Sequence, residues 1–120
     1  MKNKRQEGSR YEARAAAYLE NAGYHIIERN YRRKTGEIDL IAAGEGCFVF
    51  VEVKYRKDEA LGAPEEAVSA LKQQRIQRTA AWFLNEHRLS PETVCRFDVI
   101  AVEGAEGETV RHIKNAFGGF

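Results

Sequence analysis

The chain has 120 residues, 43% hydrophobic and 31% charged, with a formal net charge of +1, a length that suits one domain burying about two-thirds of its unfolded surface. This balance is that of ordinary globular proteins and excludes wholesale disorder and fibrous repeats. No uninterrupted apolar run exceeds that from Cys47 to Val51, far short of the roughly 20 residues that cross a bilayer. Met1–Gly8 carries charge with no apolar segment behind it, so neither a membrane span nor a secretory signal is expected. The sequence is read as one cytoplasmic domain over residues 1–120.

The first periodic segment runs from Arg10 to Ala22, where Tyr11, Ala15, Tyr18, Leu19 and Ala22 recur at three- and four-residue steps and predict an amphipathic helix. Ser9 as N-cap with Glu12 three residues on reads as a capping box, and Gly23 as the stop. Three strands follow, Tyr24–Glu28, Glu37–Ala42 and Phe48–Lys54, rich in β-branched and aromatic residues. Their links, polar Asn30–Gly36 and Gly44-Glu45-Gly46, are short enough to require antiparallel pairing. A polar stretch from Arg56 to Pro64 leads to a second helix, from an N-cap at Ser69 to about His87, with an apolar stripe of Val68, Ile76, Ala80, Phe83 and Leu84. Strands at Cys95–Val102 and Thr109–Lys114 complete an αβββαββ order. The helix between strands three and four permits one parallel crossover in a mixed α/β sheet.

Charge is uneven. Residues 1 to 34 hold nine Lys or Arg against four acids, and the remainder ten against fourteen, which marks Arg29, Arg32, Arg33 and Lys34 as a candidate polyanion surface. Lys72, Arg75 and Arg78, at i+3 steps, predict a second basic row; both sets also fit an ordinary solvated surface. Cys47 and Cys95 stand alone, and His25, His87 and His112 lack metal-ligand spacing, so zinc is not expected. Ser9, Ser69 and Ser90 lack a nucleophile-elbow context. Carboxylates and lysines remain to carry chemistry.

Glu52 interrupts the most hydrophobic strand, with Lys54 two residues on and therefore on the same face. Asp39 lies mid-strand next door and converges on Glu52 if the two strands pair. Two carboxylates in an apolar setting repel one another unless a proton or cation intervenes. Oxygen ligands favour Mg²⁺ or Mn²⁺, held by Asp39, Glu52 and the Val53 carbonyl. The same residues also fit a Glu52–Lys54–Asp39 ion-pair network.

The segments Gly36-Glu37-Ile38-Asp39-Leu40-Ile41, Val49-Phe50-Val51-Glu52-Val53-Lys54-Tyr55-Arg56, Lys72-Gln73-Gln74-Arg75 and Arg96-Phe97-Asp98-Val99 resemble the YraN-type family of small bacterial proteins. That family is regarded as endonuclease-like, similar to archaeal Holliday junction resolvases of the PD-(D/E)xK superfamily. The resemblance implies a restriction-endonuclease-like core with flanking helices. It maps the motif onto Asp39 and Glu52-Val53-Lys54, with Ile38 where the superfamily name has proline. Glu12 matches the acid that related resolvases carry on the first helix, a metal ligand directly or through water, and Gln73 matches a polar second-helix residue. The implied activity is Mg²⁺-dependent hydrolysis of DNA by in-line attack of water. Asp39, Glu52 and Glu12 would serve the metal and Lys54 the water or phosphate, while Arg32, Arg33, Arg56, Lys72, Gln73, Arg75 and Arg78 hold the nucleic acid. Branched DNA would be the substrate through resemblance, and a two-fold homodimer would suit a four-way junction. Two rival classes share the residues: a non-catalytic nucleic-acid-binding module, separated by metal dependence, and a protein-interaction adaptor, separated by the lack of salt-sensitive nucleic-acid binding.

Overall fold

The structure, a computed structural model, describes residues 4–56 and 68–118. The chain runs α1 (Lys4–Asn21), β1 (His25–Arg33), β2 (Gly36–Gly44), β3 (Cys47–Arg56), α2 (Ala70–Glu86), β4 (Cys95–Glu103) and β5 (Thr109–Phe117), the expected αβββαββ order. Beyond Arg56, the polar stretch expected to reach Pro64 lies outside the described residues. No helix among the described residues is long and apolar enough to cross a membrane.

The strands form one sheet in chain order. β3 and β4 pair in parallel because α2 carries the chain back between them, and every other neighbouring pair is antiparallel. In the β2–β3 turn Glu45 and Gly46 both take positive φ, 54° and 79°, as a two-residue hairpin with matching twist requires. The link expected over Asn30–Gly36 is mostly strand: β1 continues to Arg33, leaving Lys34 and Thr35 as the turn. Its polar side chains are tolerated because β1 is an edge, where Arg32 pairs across the ladder with Glu37 at 2.8 Å. Gly36 follows at φ 146°, so close to α2 that a Cβ would lie 3.4 Å from both Arg75 Cβ and Thr79 Oγ1.

Side-chain alternation sorts the sheet into two cores. Leu40, Ala42, Val49, Val51, Ile100 and Val102 pack with Ala15, Ala16 and Leu19 of α1. Ile41, Phe50, Phe97 and Val99 pack with Ile76, Ala80 and Phe83 of α2. Phe83 centres the second core, presenting its ring edge-on to Tyr31, Phe48 and Phe50 at centroid separations of 5.7 to 5.8 Å. The expected α2 stripe is therefore present, joined by Thr79, whose hydroxyl meets the Arg75 carbonyl and Thr35 Oγ1.

The two helix starts differ from one another. Ser69 caps α2, its Oγ accepting from Lys72 N at 3.2 Å. Ser9 does not cap α1, which begins at Lys4 and carries Ser9 exposed inside it. The capping box with Glu12 is thus corrected. The first turns of α1 consist largely of good helix formers without an apolar stripe, so periodicity cannot detect them.

Ser69→Ala should cost about 1 kcal/mol in urea unfolding, while Ser9→Ala should stay within about 0.5 kcal/mol of the parent. Equal losses at the two positions would return the start of α1 to Ser9.

Candidate functional site

The β2–β3 ladder runs from Gly44–Cys47 to Leu40–Val51 and stops. At the next position the Asp39 carboxylate replaces the backbone partner, Oδ2 accepting from Val53 N at 2.8 Å. The cause is a break in alternation: Ile38 and Leu40 are two residues apart yet belong to opposite cores. Across the β1–β2 pair, between Arg29–Leu40 and Tyr31–Ile38, stands Asn30 with φ 52°, a left-handed conformation that Asn adopts more readily than most residues. The hairpin bends at Asn30 and Asp39 together and parts from β3. On β3, Glu52 follows Phe50 on the α2 face and is 6% exposed. Lys72 Nζ reaches its Oε1 at 2.5 Å and Lys54 Nζ lies 3.6 Å from the same oxygen.

Burial first, and the Glu52 charge second, push the Asp39 carboxyl up to about 7, only partly offset by the Val53 N–H. Burial, then the neighbouring Lys72 ammonium, weaken the Lys54 ammonium below its ordinary range. Burial also opposes the charge on Lys72, but the hydrogen bond and charge of Glu52 outweigh it and hold Lys72 above its ordinary range. On α1, Glu12 is raised by burial and then by Glu37. With its amide nitrogen turned to α1, Asn30 donates to Glu12 Oε1 at 2.8 Å and Oε2 at 3.2 Å.

The sequence-predicted residues divide accordingly. Asp39, Glu52 and Lys54 come together as expected. Lys72, expected in a surface row, instead turns into the site, while Arg75 and Arg78 stay exposed and form no ion pair among the described residues. Gln73 fastens its own helix start, donating to the Val68 carbonyl at 2.9 Å. Arg32 pairs with Glu37, and Arg33 pairs with Glu86 at 2.7 Å while lying over the Tyr31 ring. Arg56 ends β3 opposite Glu103. Asn30 is a site residue that the sequence reading places only at the start of a link; an Asn between charged and aromatic residues, tolerant of a left-handed backbone, was its signal.

Among the described residues no three of His, Cys, Asp and Glu lie close enough to hold a metal ion. Of the expected set of Asp39, Glu52 and Glu12, Glu12 is engaged by Asn30 and lies close enough for its charge to act on Asp39. Asp39 and Glu52 remain as a two-carboxylate, all-oxygen pair. That donor set suits Mg²⁺ or Mn²⁺, which fill their remaining positions with water and phosphate oxygens, and a divalent cation would relieve the repulsion felt by Asp39. A cavity of about 600 Å³ beside the end of α2 is lined by Leu84, Leu89, Pro91 and Phe97 and by none of these residues.

Residues 11–102 match the family model described as "Uncharacterised protein family UPF0102". A UPF0102 protein of Lachnoclostridium phytofermentans is 50% identical over 115 residues, covering 96% of this chain and 95% of its own. Another from Aliivibrio fischeri is 47% identical over 115 residues, covering 95% and 93%. A third, from a Sulfurihydrogenibium species, is 42% identical over 115 residues and covers 96% of both chains. The chain belongs to the UPF0102 family, and the matched span includes Glu12, Asn30, Asp39, Glu52, Lys54 and Lys72.

Because the Asp39 carboxyl is raised to about 7 from an ordinary 3.8, the folded protein holds a proton that the unfolded chain has released between those values. Stability contributed at this site therefore falls as pH rises through that window. Asp39→Asn, which keeps an oxygen for Val53 N–H, should gain stability relative to the parent between pH 5 and pH 8. A pH-independent difference in denaturation midpoints would show that Asp39 ionises normally.

Proposed function

We propose that this UPF0102 protein is a Mg²⁺- or Mn²⁺-dependent endonuclease that hydrolyses DNA phosphodiester bonds in the cytoplasm, with a core related to the PD-(D/E)xK resolvases. The observation that carries the reading is Asp39 beside Glu52, a raised carboxyl next to a second acid, at the point where β2 and β3 part and two lysines converge. A purely structural pair would gain nothing from leaving Asp39 with one backbone donor among the described residues.

In this reading Asp39 and Glu52 hold the divalent cation. When bound, the cation supplies a Lewis acid that acidifies water and offsets charge growing on the phosphate. Lys54 projects beside Glu52. As an ammonium it donates to a phosphate oxygen, and in the neutral form that burial favours it accepts the proton of the attacking water. Lys72 neutralises Glu52 while no substrate is present. Asn30, held by Glu12, fixes the bend that keeps the Asp39 carboxylate in the gap. A two-fold homodimer would place two such sites on one four-way junction. The Lys72–Glu52 contact also favours a second reading, a nucleic-acid-binding module in which this lysine has permanently taken the place of the cation.

Single-stranded, duplex, flapped and four-way DNA incubated with Mg²⁺, Mn²⁺ or chelator separates the two. Metal-dependent scission is expected. Asp39→Asn, Glu52→Gln and Lys54→Ala should each slow it on the order of 100-fold or more, with the Asp39→Asn/Glu52→Gln double variant scarcely worse than either single. Binding without scission on all four substrates would leave the module.

Neutralising Arg75 and Arg78 should shallow the log-affinity versus log-salt slope on duplex DNA by about 0.9 for each phosphate no longer held. An unchanged slope would return both arginines to solvated surface.

A further inference from the structure

The outer flank of α2 carries large apolar surface that the sheet does not use. Leu71 is 56% exposed and Trp82 46% exposed. At 100° per residue, Leu71, Arg75, Arg78 and Trp82 fall on one flank of the helix, beside the β1–β2 turn that Gly36 brings against Arg75. Trp82 lines a shallow cleft of about 370 Å³ with Thr35, Arg78, Ala81 and Asn85.

We propose that Trp82 is a stacking platform for an unpaired nucleobase, so that the substrate has single-stranded character beside the point of cleavage. The platform rests on the nuclease reading only for the identity of the polyanion. An exposed indole interleaved with cations is the combination by which proteins track single strands: the ring accepts any base face while arginines follow the phosphates. Arg75 and Arg78 are exposed and make no ion pair among the described residues, so their charge is available to that backbone. Trp82 lies ten residues along the helix from Lys72, about 15 Å, a span that a few nucleotides of single strand cover. A strand with its scissile phosphate near Lys72 and Lys54 would thus set a base over Trp82 a few nucleotides away. A second copy of the chain fits this flank less well, because a two-fold helix pair would set Arg75 and Arg78 against their own counterparts.

Trp82 is the one tryptophan of the chain, so intrinsic fluorescence reports on it directly. A short single-stranded oligothymidine should quench the emission on binding, and a duplex of equal charge should quench it far less. Trp82→Ala should weaken binding to single-stranded and flapped DNA by about five- to 150-fold and leave duplex affinity within about twofold, and Trp82→Phe should restore part of the loss. Saturating single-strand binding without quenching would overturn the platform, as would a Trp82→Ala effect confined to self-association in sedimentation. Quenching in a protein that cleaves nothing would sustain the platform while overturning the nuclease, and cleavage of flapped DNA undiminished by Trp82→Ala would do the reverse.

Discussion

An acid inside an apolar sheet needs donors or a counter-charge, or it gives up its own charge. Asp39 and Asp98 meet that demand in opposite ways. Asp98 is fully buried on β4, where it accepts two bonds from the Arg96 guanidinium at 2.8 and 2.9 Å, one from Asn115 N at 2.9 Å, and lies 2.6 Å from His112 Nε2. Burial alone would raise its carboxyl, but these partners outweigh it and hold Asp98 below the ordinary range. Among the described residues Asp39 has one N–H donor, from Val53, so burial and then the Glu52 charge raise it. The sheet thus contains a completed carboxylate site at Asp98; Glu103, also buried on β4, faces Arg111 Nη1 at 3.6 Å, and Asp39 is left short of donors.

That shortage depends on the bend in the β1–β2 hairpin. Were β2 to continue its ladder past Leu40, Val53 N would pair with a backbone carbonyl and the Asp39 side chain would lose its place in the gap. The left-handed Asn30, the change of face between Ile38 and Leu40 and the Glu12–Asn30 contact all act on the same point. Glu52 contributes from a straight strand whose alternation is intact. One acid is thus placed by an irregularity and the other by regularity, and α2 supplies Lys72 between them because Ser69 fixes where its first turn begins.

Legibility in the sequence follows the same division. Regular features could be read: the period-2 runs, the Gly44-Glu45-Gly46 turn, the Ser69 cap, and the convergence of Asp39 and Glu52 that follows once adjacent strands pair. Irregular or nonperiodic features could not. The start of α1 is polar helix without a stripe, so Ser9 resembled a cap while lying inside the helix. The continuation of β1 through Arg33 is polar because an edge strand tolerates charge. Lys72, Arg75 and Arg78 have equivalent spacing, and only the packing of α2 across the sheet shows that Lys72 alone turns inward to Glu52. Gln73 matched by alignment of types, but its amide is used by its own helix.

The bend at Asn30 bears on how the sheet edges avoid adding strands from other chains. β1 and β5 are the open edges of the sheet, and an edge with a long flat row of free backbone groups invites another chain to add a strand. β1 is interrupted by a register shift between Ile26 and Glu28, by the left-handed Asn30 and by exposed Arg29, Arg32 and Arg33. β5 carries its own left-handed residue, Asn115, with Arg111 and Lys114 exposed on either side of the His112–Ile113 step. Neither edge offers a run straight enough to template an intermolecular ladder. The irregularity that opens the carboxylate gap therefore also guards the sheet against edge-to-edge aggregation, and straightening β1 to stabilise the hairpin would remove both protections at once.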